Sequence, residues 1–399
     1  NQNNLSEAEK SFKKSCSLKP AFAEATNNLA STLLKKNKIT LALKYFNVAL
    51  NIEPANPDFW ANKSAAYQAA NQIQKAIDAC NEALKINPNH TDARWNRGIA
   101  YLLSGDLIKG FYDYETRWRL PEFKPTKRAS ILWTGQNLCN KSILVYSEQG
   151  FGDTIQFVRY INKLTQLEPN LVYFETHSAL ETLINEIDGI DMVFTRGAAL
   201  PRTDFHIPLM SLPFIFKTTI HSIPNQVPYL NPPQVPPYIF AKNNSKKFNV
   251  GICWKGRVTH KNDSNRSICV KTLFPLFEMP DIQFYSLQLD HGESKILKKY
   301  QIIDLSNQIT DFSSTAVIIK ELDLVITVDT ALAHLSGALD FECWVLLPFS
   351  PDWRWLLKTS SSPWYPSLKL FRQQTTGDWS KLISIVRQSL KKKFALNII

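Results

Sequence analysis

Asp323-Leu-Val-Ile-Thr-Val-Asp-Thr-Ala-Leu-Ala-His-Leu-Ser-Gly-Ala-Leu339 decides the fold class of this chain. Residues 322–328 are a short apolar run rich in β-branched side chains, the pattern of a strand buried on both faces. Asp329 and Thr330 bring helix-start chemistry, and residues 331–339 are good helix formers. A parallel strand that feeds a helix directly presents backbone N–H groups and the positive end of the helix dipole at the strand's carboxyl edge. Open α/β sheets bind phosphorylated ligands there. His334 follows Thr330 by four residues, so both side chains fall on one helix face. On the helix alone, Asp329 and Thr330 read first as a plain N-cap pair, and His334 as a half-buried core histidine.

Composition sets the frame around that stretch. At 399 residues, 44% hydrophobic and 20% charged, the chain is globular and long enough for two or three domains. No apolar run approaches a membrane-spanning length and no signal-peptide pattern is visible. Six scattered cysteines lack any Cys-x-x-Cys spacing, which points to neither zinc nor a disulfide framework; a reducing, cytoplasmic setting is expected. The formal charge of +11 favours an anionic ligand or surface. The basic residues are spread along the chain apart from Lys391-Lys-Lys393, and no nucleic-acid module is present, so nucleic acid is not the expected partner. A nucleotide phosphate, or peripheral association with an anionic membrane, accounts for the charge as well.

Upstream, residues 1–119 repeat. Pro20, Pro54 and Pro88 are 34 apart, as are Ala8, Ala42 and Ala76, and Asn28, Asn62 and Asn96. This period, with small residues in the second helix and proline at the repeat end, resembles the tetratricopeptide repeat. Small residues at fixed positions let paired helices approach closely, and proline ends each second helix. The first unit lacks its leading helix, which implies an array beginning upstream of Asn1. Gly110 takes the alanine position in the last unit, which runs into the aromatic stretch Phe111-Tyr-Asp-Tyr-Glu-Thr-Arg-Trp-Arg119, expected as a cap. Residues 120–140, with Pro121, Pro125 and clustered basic residues, are expected to be a linker in which Leu132 and Trp133 tuck against the next domain.

From Lys141 the pattern becomes alternating strands and helices. Strands are expected at 142–146, 171–174, 192–194 and 205–207, with a glycine-bearing turn at 147–154 and a helix at 155–164. Residues 224–237 carry six prolines and are expected as a hinge between domains at 141–237 and 238–399. The second set has strands at 248–254, 283–287, 302–305, 322–328, 344–347 and 368–371, and an amphipathic helix at 379–393. Two successive βα sets, each with a ligand-ready turn, predict two Rossmann-like halves facing a cleft.

Gly152-Asp153 after the first strand, and Asp329-Thr330-x-x-x-His334 before a small-residue helix, resemble bacterial glycosyltransferase family 9, the heptosyltransferase-like enzymes. Glu148-Gln-Gly-Phe-Gly-Asp-Thr154, His206-Ile-Pro-Leu-Met-Ser-Leu-Pro213 and His260-Lys-Asn-Asp-Ser-Asn-Arg-Ser267 resemble the branch in which such a domain follows tetratricopeptide repeats. The resemblance covers residues 95–399. It implies a GT-B architecture behind an α-solenoid, with the acceptor half first, the nucleotide-sugar half second and the chemistry between them.

Transfer from a nucleotide-diphosphate sugar needs a base for the acceptor hydroxyl, support for the leaving diphosphate, and exclusion of water. Asp153 is the base that the resemblance implies; position alone leaves it equally a helix cap. Gln149, Gly150, Gly152 and His206 are the accompanying acceptor-side residues, the glycines permitting a tight turn and close ligand approach. For the donor, Lys255 and Arg266 are favoured as diphosphate partners because they adjoin apolar segments; His260 and Lys261 are weaker candidates. Asp329 suits sugar hydroxyls, since it would repel phosphate, while the amides after Thr330 and Ala331 take the diphosphate and His334 approaches a phosphate oxygen. Gln288, at a strand end, is placed for the base or ribose. Asp-x-Asp is absent from the sequence, so no metal cofactor is expected and cations with helix dipoles would do that work. The resemblance likewise implies a metal-independent, inverting reaction. Ala331 departs from the glycine of many family members, and the repeats are foreign to lipopolysaccharide heptosyltransferases, so the acceptor does not carry over. The repeats point to a protein or peptide partner. The competing expectation is an adaptor whose transferase half binds nucleotide without turnover.

Overall fold

The computed structural model describes residues 2–123, 128–232, 247–260, 262–289 and 292–396. They form two compact units: the amino-terminal helices with residues 218–220 and 352–357, and the remaining α/β portion.

In the first unit α1 (Gln2–Leu18) precedes three antiparallel pairs: α2 (Ala23–Lys35) with α3 (Ile39–Ile52), α4 (Pro57–Ala69) with α5 (Ile73–Ile86), and α6 (Thr91–Ser104) with α7 (Leu107–Tyr114). The 34-residue period has a separate cause at each recurring position. Ala42, Ala49, Ala76 and Ala83 are fully buried where second helices meet their neighbours. Gly110 continues that series by necessity: a Cβ there would lie 2.5 Å from the Leu102 side chain and 2.9 Å from its backbone nitrogen. The asparagines tie one repeat to the next. Asn62 Nδ2 donates to Asn27 Oδ1 at 3.2 Å, and Asn96 Nδ2 donates to the Ala61 carbonyl at 3.1 Å and to Ser64 Oγ at 3.2 Å. Asn56, followed by Pro57, caps α4 through Asp58 N–H, and His90 caps α6 through Ala93 N–H. The aromatic stretch splits into the end of α7 and a 3-10 turn at Glu115–Arg119. Phe111 and Tyr114 meet Trp353 edge-on, with ring centres 5.6 and 6.4 Å apart.

The second unit holds two sheets. Strands β1 (Ile131–Leu132), β2 (Ser142–Tyr146), β3 (Leu171–Thr176), β4 (Met192–Thr195) and β5 (Phe205–Pro208) line up in the order β1-β5-β2-β3-β4. All their pairings are parallel. They alternate with α8 (Phe151–Phe157), α9 (Ile161–Thr165), α10 (Ser178–Asn185) and α11 (Leu212–Ile215). Strands β6 (Phe248–Cys253), β7 (Ile282–Ser286), β8 (Ile303–Asp304), β9 (Leu324–Val328), β10 (Cys343–Leu347) and β11 (Leu368–Arg372) form the other sheet in the order β11-β10-β9-β6-β7-β8, again parallel. Helices α12 (Asp263–Arg266), α13 (Phe274–Phe277), α14 (Ser294–Lys299), α15 (Phe312–Lys320), α16 (Ala331–Ala338) and α17 (Trp379–Leu396) accompany it. Every residue of β9 and β10 is buried, as an unbroken apolar strand requires when helices cover both faces.

Two expectations need correction. The stretch read as linker contains β1, held by Ile131 N–H on the Asp204 carbonyl and Trp133 N–H on the His206 carbonyl; two residues of strand are too few to show a period. The helix after β2 starts at Phe151 rather than 155, because Asp153 reaches back to the Gly150 N–H. Of the proline-rich stretch, residues 224–232 run without regular structure and place Tyr229 N–H on the Ala338 carbonyl at 3.1 Å; residues 233–237 lie outside the described residues. No helix of the described residues is long and apolar enough to cross a membrane.

Candidate functional site

Strand order locates the site. In the first sheet the chain starts its main run at β2, proceeds outward through β3 and β4, then returns to β2's other side as β5. In the second it starts at β6, runs through β7 and β8, then returns beside β6 as β9. Loops leaving the carboxyl ends of such a pair diverge to opposite faces of the sheet and open a crevice between them. The turn after β2 carries Gln149, Gly150, Gly152 and Asp153. The loop after β6 carries Lys255, Gly256, Arg266 and His260, and the turn after β9 carries Asp329, Thr330, Ala331 and His334.

The turns after β2 and β9 converge. A Cβ on Gly152 would lie 2.8 Å from His334 Cδ2, 3.5 Å from His334 Nε2 and 3.4 Å from Ala331 Cα. Gly152 is therefore needed for space rather than for an unusual backbone, and what approaches it is His334. Gly150 also has an ordinary extended backbone, with a φ of −76°. Asp153 is half-buried in the first turn of α8, and its Oδ2 accepts the Gly150 N–H at 2.8 Å. The cap exists, then, and it occupies one carboxylate oxygen.

Opposite, Thr330 holds the N-cap position of α16 but makes no side-chain cap bond; its hydroxyl lies 3.0 Å from Thr327 Oγ1. The Asp329 carbonyl accepts from Arg266 Nη1 at 2.9 Å. Arg266 reaches it over Gly256, whose missing Cβ would fall 2.5 Å from the guanidinium. Arg266 thereby braces the β9–α16 turn at the crevice edge. Lys255 is also at the edge, with Nζ 3.2 Å from Glu293 Oε1. Gln288 is buried and spends its side-chain oxygen on the Trp254 and Lys255 N–H groups at 3.2 and 2.8 Å and its nitrogen on the Leu289 carbonyl. It shapes the end of β6. His260 is exposed, its Nδ1 accepting from Asn262 N–H, and Lys261 lies outside the described residues.

Around the β2 turn, His206 on β5 pairs with Ser130 Oγ at 3.2 Å. Burial, and then the charge of Arg128, lower its pKa. His177, before α10, stacks edge-on against Phe151 at 5.0 Å; burial first, then the Arg196 charge, lower its pKa, and Arg257 from the loop after β6 adds to that. Both imidazoles are thus biased toward the neutral form. Among the described residues, no group of three or more His, Cys, Asp and Glu side chains is arranged to hold a metal ion.

Sequence reasoning missed the residues behind His334. Arg159 is buried at 4% exposure; Nε donates to the Gln156 carbonyl, Nη1 to the carbonyls of Pro224 and Trp364, and Nη2 to the Tyr229 hydroxyl. The rings of Tyr229 and Tyr365 sit 4.5 Å from its guanidinium carbon. Tyr365 in turn meets His334 Nδ1 at 3.0 Å. The available signal was an arginine inside the apolar run Phe157-Val-Arg-Tyr-Ile161.

Comparison with known proteins agrees with the helical half. Tetratricopeptide-repeat family profiles match residues 1–58 and 57–90. Protein FlbA of Caulobacter vibrioides is 23% identical over 324 residues, 73% of this chain and 53% of FlbA, so the chain spans about half the length of the curated relative it matches. Among solved structures, MamA from Desulfovibrio magneticus is 21% identical over 32% of this chain and 71% of its own, with a TM-score of 0.28. A tetratricopeptide repeat protein from Parabacteroides merdae is 24% identical over 31% of this chain and 50% of its own, with a TM-score of 0.27. The amino-terminal region consists of tetratricopeptide repeats, followed by an α/β portion built on two parallel sheets.

Proposed function

We propose that the α/β portion is a GT-B glycosyltransferase that moves a sugar from a nucleotide-diphosphate donor to an acceptor hydroxyl with inversion, and that the repeats recruit a protein or peptide partner. The observation that supports this reading is the approach of the β2–α8 turn to the β9–α16 turn, where Gly152, next to Asp153, lies against Ala331 and His334 at the start of α16. In the proposed step the acceptor oxygen attacks the anomeric carbon as the carbon–oxygen bond to the diphosphate breaks. The acceptor proton passes to Asp153. Charge developing on the diphosphate is met by the first-turn amides of α16, with Arg266 and Lys255 nearby. No metal is required by this scheme.

Asp153→Asn is the informative variant, because the amide oxygen can still accept the Gly150 N–H while the basic group is gone. With purified chain and UDP-, GDP- and ADP-sugars, turnover is expected to fall by about 10²-fold or more in that variant. A second reading rests on the prior commitments of Lys255 to Glu293 and of Gln288 to the β6 backbone. They favour a silent domain that binds nucleotide while the repeats act as an adaptor. Binding with no turnover on any acceptor, unchanged by Asp153→Asn, would establish that reading instead.

A further inference from the structure

The 34-residue step makes each position of the repeats comparable with its counterpart in the next unit. Leu29, Lys63 and Arg97 occupy one such position on the successive first helices α2, α4 and α6. Leu29 is fully buried, so the position belongs to the core, and a cation placed there calls for an anion. Arg97 has one. Its Nε and Nη2 donate to the buried Asp113 carboxylate at 2.7 and 3.1 Å, and its Nη1 donates to Asn81 Oδ1 at 2.9 Å. The same guanidinium borders a recess of about 520 Å³ against α5, lined also by Asp78, Glu82 and Lys85.

Lys63 lacks that anion. One repeat earlier, Ala79 stands in the place of Asp113, and Lys44 and Val48 stand in the places of Asp78 and Glu82. The ring contacts are otherwise kept. Lys63 Nζ lies 4.7 Å from the Trp60 ring and 5.6 Å from the Tyr67 ring, while the Arg97 guanidinium carbon lies 5.9 Å from the Tyr101 ring. Helix α3 contains no acidic residue, and among the described residues no carboxylate pairs with Lys44 or Lys63. Lys63 is half-buried, and that desolvation lowers its pKa. Val48, four residues after Lys44 on the same helix face, is 38% exposed.

We propose that Lys63, Lys44 and Val48 form a docking site for an acidic segment of a protein partner, whose aspartate or glutamate side chain takes the place beside Lys63 that Asp113 takes beside Arg97. This rests on the reading that the repeats recruit a protein or peptide partner, and gives that partner a charge and a point of contact. Lys63 is held against two rings and partly desolvated before the partner arrives. The pair therefore costs less ordering than one between two exposed side chains.

The test titrates the full chain with an oligoglutamate peptide blocked at both ends, followed by calorimetry. Oligoglutamine, an alanine peptide with a free carboxyl end, a short DNA strand and anionic phosphatidylserine vesicles serve as comparisons. Lys63→Gln removes the cation, and Ala79→Asp supplies its carboxylate from within; each is expected to weaken the glutamate peptide by about 10-fold or more. Lys63→Arg is expected to retain binding, and Lys14→Gln, exposed on α1, to leave it unchanged. Thermal unfolding checks that each variant is folded. A lysine with only a structural role would leave binding untouched in Ala79→Asp. Binding unaltered by either Lys63→Gln or Ala79→Asp, or a preference for DNA, vesicles or the free carboxyl end, overturns the inference. Persistence in both variants would keep recruitment by the repeats and remove this site, whereas a chain that binds none of the peptides would count against recruitment itself as well.

Discussion

The two turns that meet at the crevice are built from the same plan and finished in opposite ways. Each leaves a buried parallel strand and enters a helix. At the β2 turn Asp153 folds back on the Gly150 N–H, so the helix start is closed by its own side chain. At the β9 turn Thr330 looks back to Thr327, Arg266 holds the Asp329 carbonyl from outside, and α16 begins without a side-chain cap. A helix start that caps itself keeps its shape; one fixed from behind keeps its shape and also presents its amides. In the transferase proposed above, this difference gives the first turn the acid–base group and makes the second the anion-facing side.

The largest way to break the comparison is to release what holds the turns together. Arg159→Met would strip the donor from the buried Gln156 and Trp364 carbonyls and the part-buried Pro224 carbonyl, and each unsatisfied group costs roughly 1–3 kcal/mol. Urea unfolding of the variant is expected to show a loss of about 3 kcal/mol or more; a loss below 1 would mean the network is not a clasp. Gly152→Ala drives a methyl into His334. Overpacking of about 1–3 kcal/mol is opposed by about 1 kcal/mol of helix propensity, so a net loss of up to about 2 kcal/mol is expected. The smallest effects separate the turns themselves. Asp153→Ala removes a cap worth about 1 kcal/mol. Thr330→Ala, which removes no cap bond, is expected to stay within about 0.5 kcal/mol of the parent. Equal costs for those two would erase the distinction.

What was legible in the residues depended on range. The 34-residue step of the repeats is local, since Ala42, Ala76 and Asn96 each meet a neighbour one helix or one repeat away, and it stood out in sequence. Strands β9 and β10 were legible because burial on both faces leaves an unbroken apolar run. β1 was not, since a two-residue edge strand has no period. Of the candidate residues, Asp153, Asp329 and His334 were nominated from strand-to-helix turns, yet the long-range bonds around those turns were not. Arg159 bonds Trp364 across 205 residues, and Arg266 bonds Asp329 across 63. Nothing local to either arginine marks its partner. The glycines show a further limit: a sequence glycine suggests a turn, whereas Gly152 and Gly256 are there to admit a side chain from elsewhere.

The crevice account is tested most directly by backbone hydrogen exchange of the full chain with and without saturating nucleoside-diphosphate sugar. Slowed exchange is expected at the amides of residues 331–334 in the first turn of α16, and in the β6 loop around Lys255 and Arg266. Binding that leaves those amides unchanged while protecting another surface would contradict it.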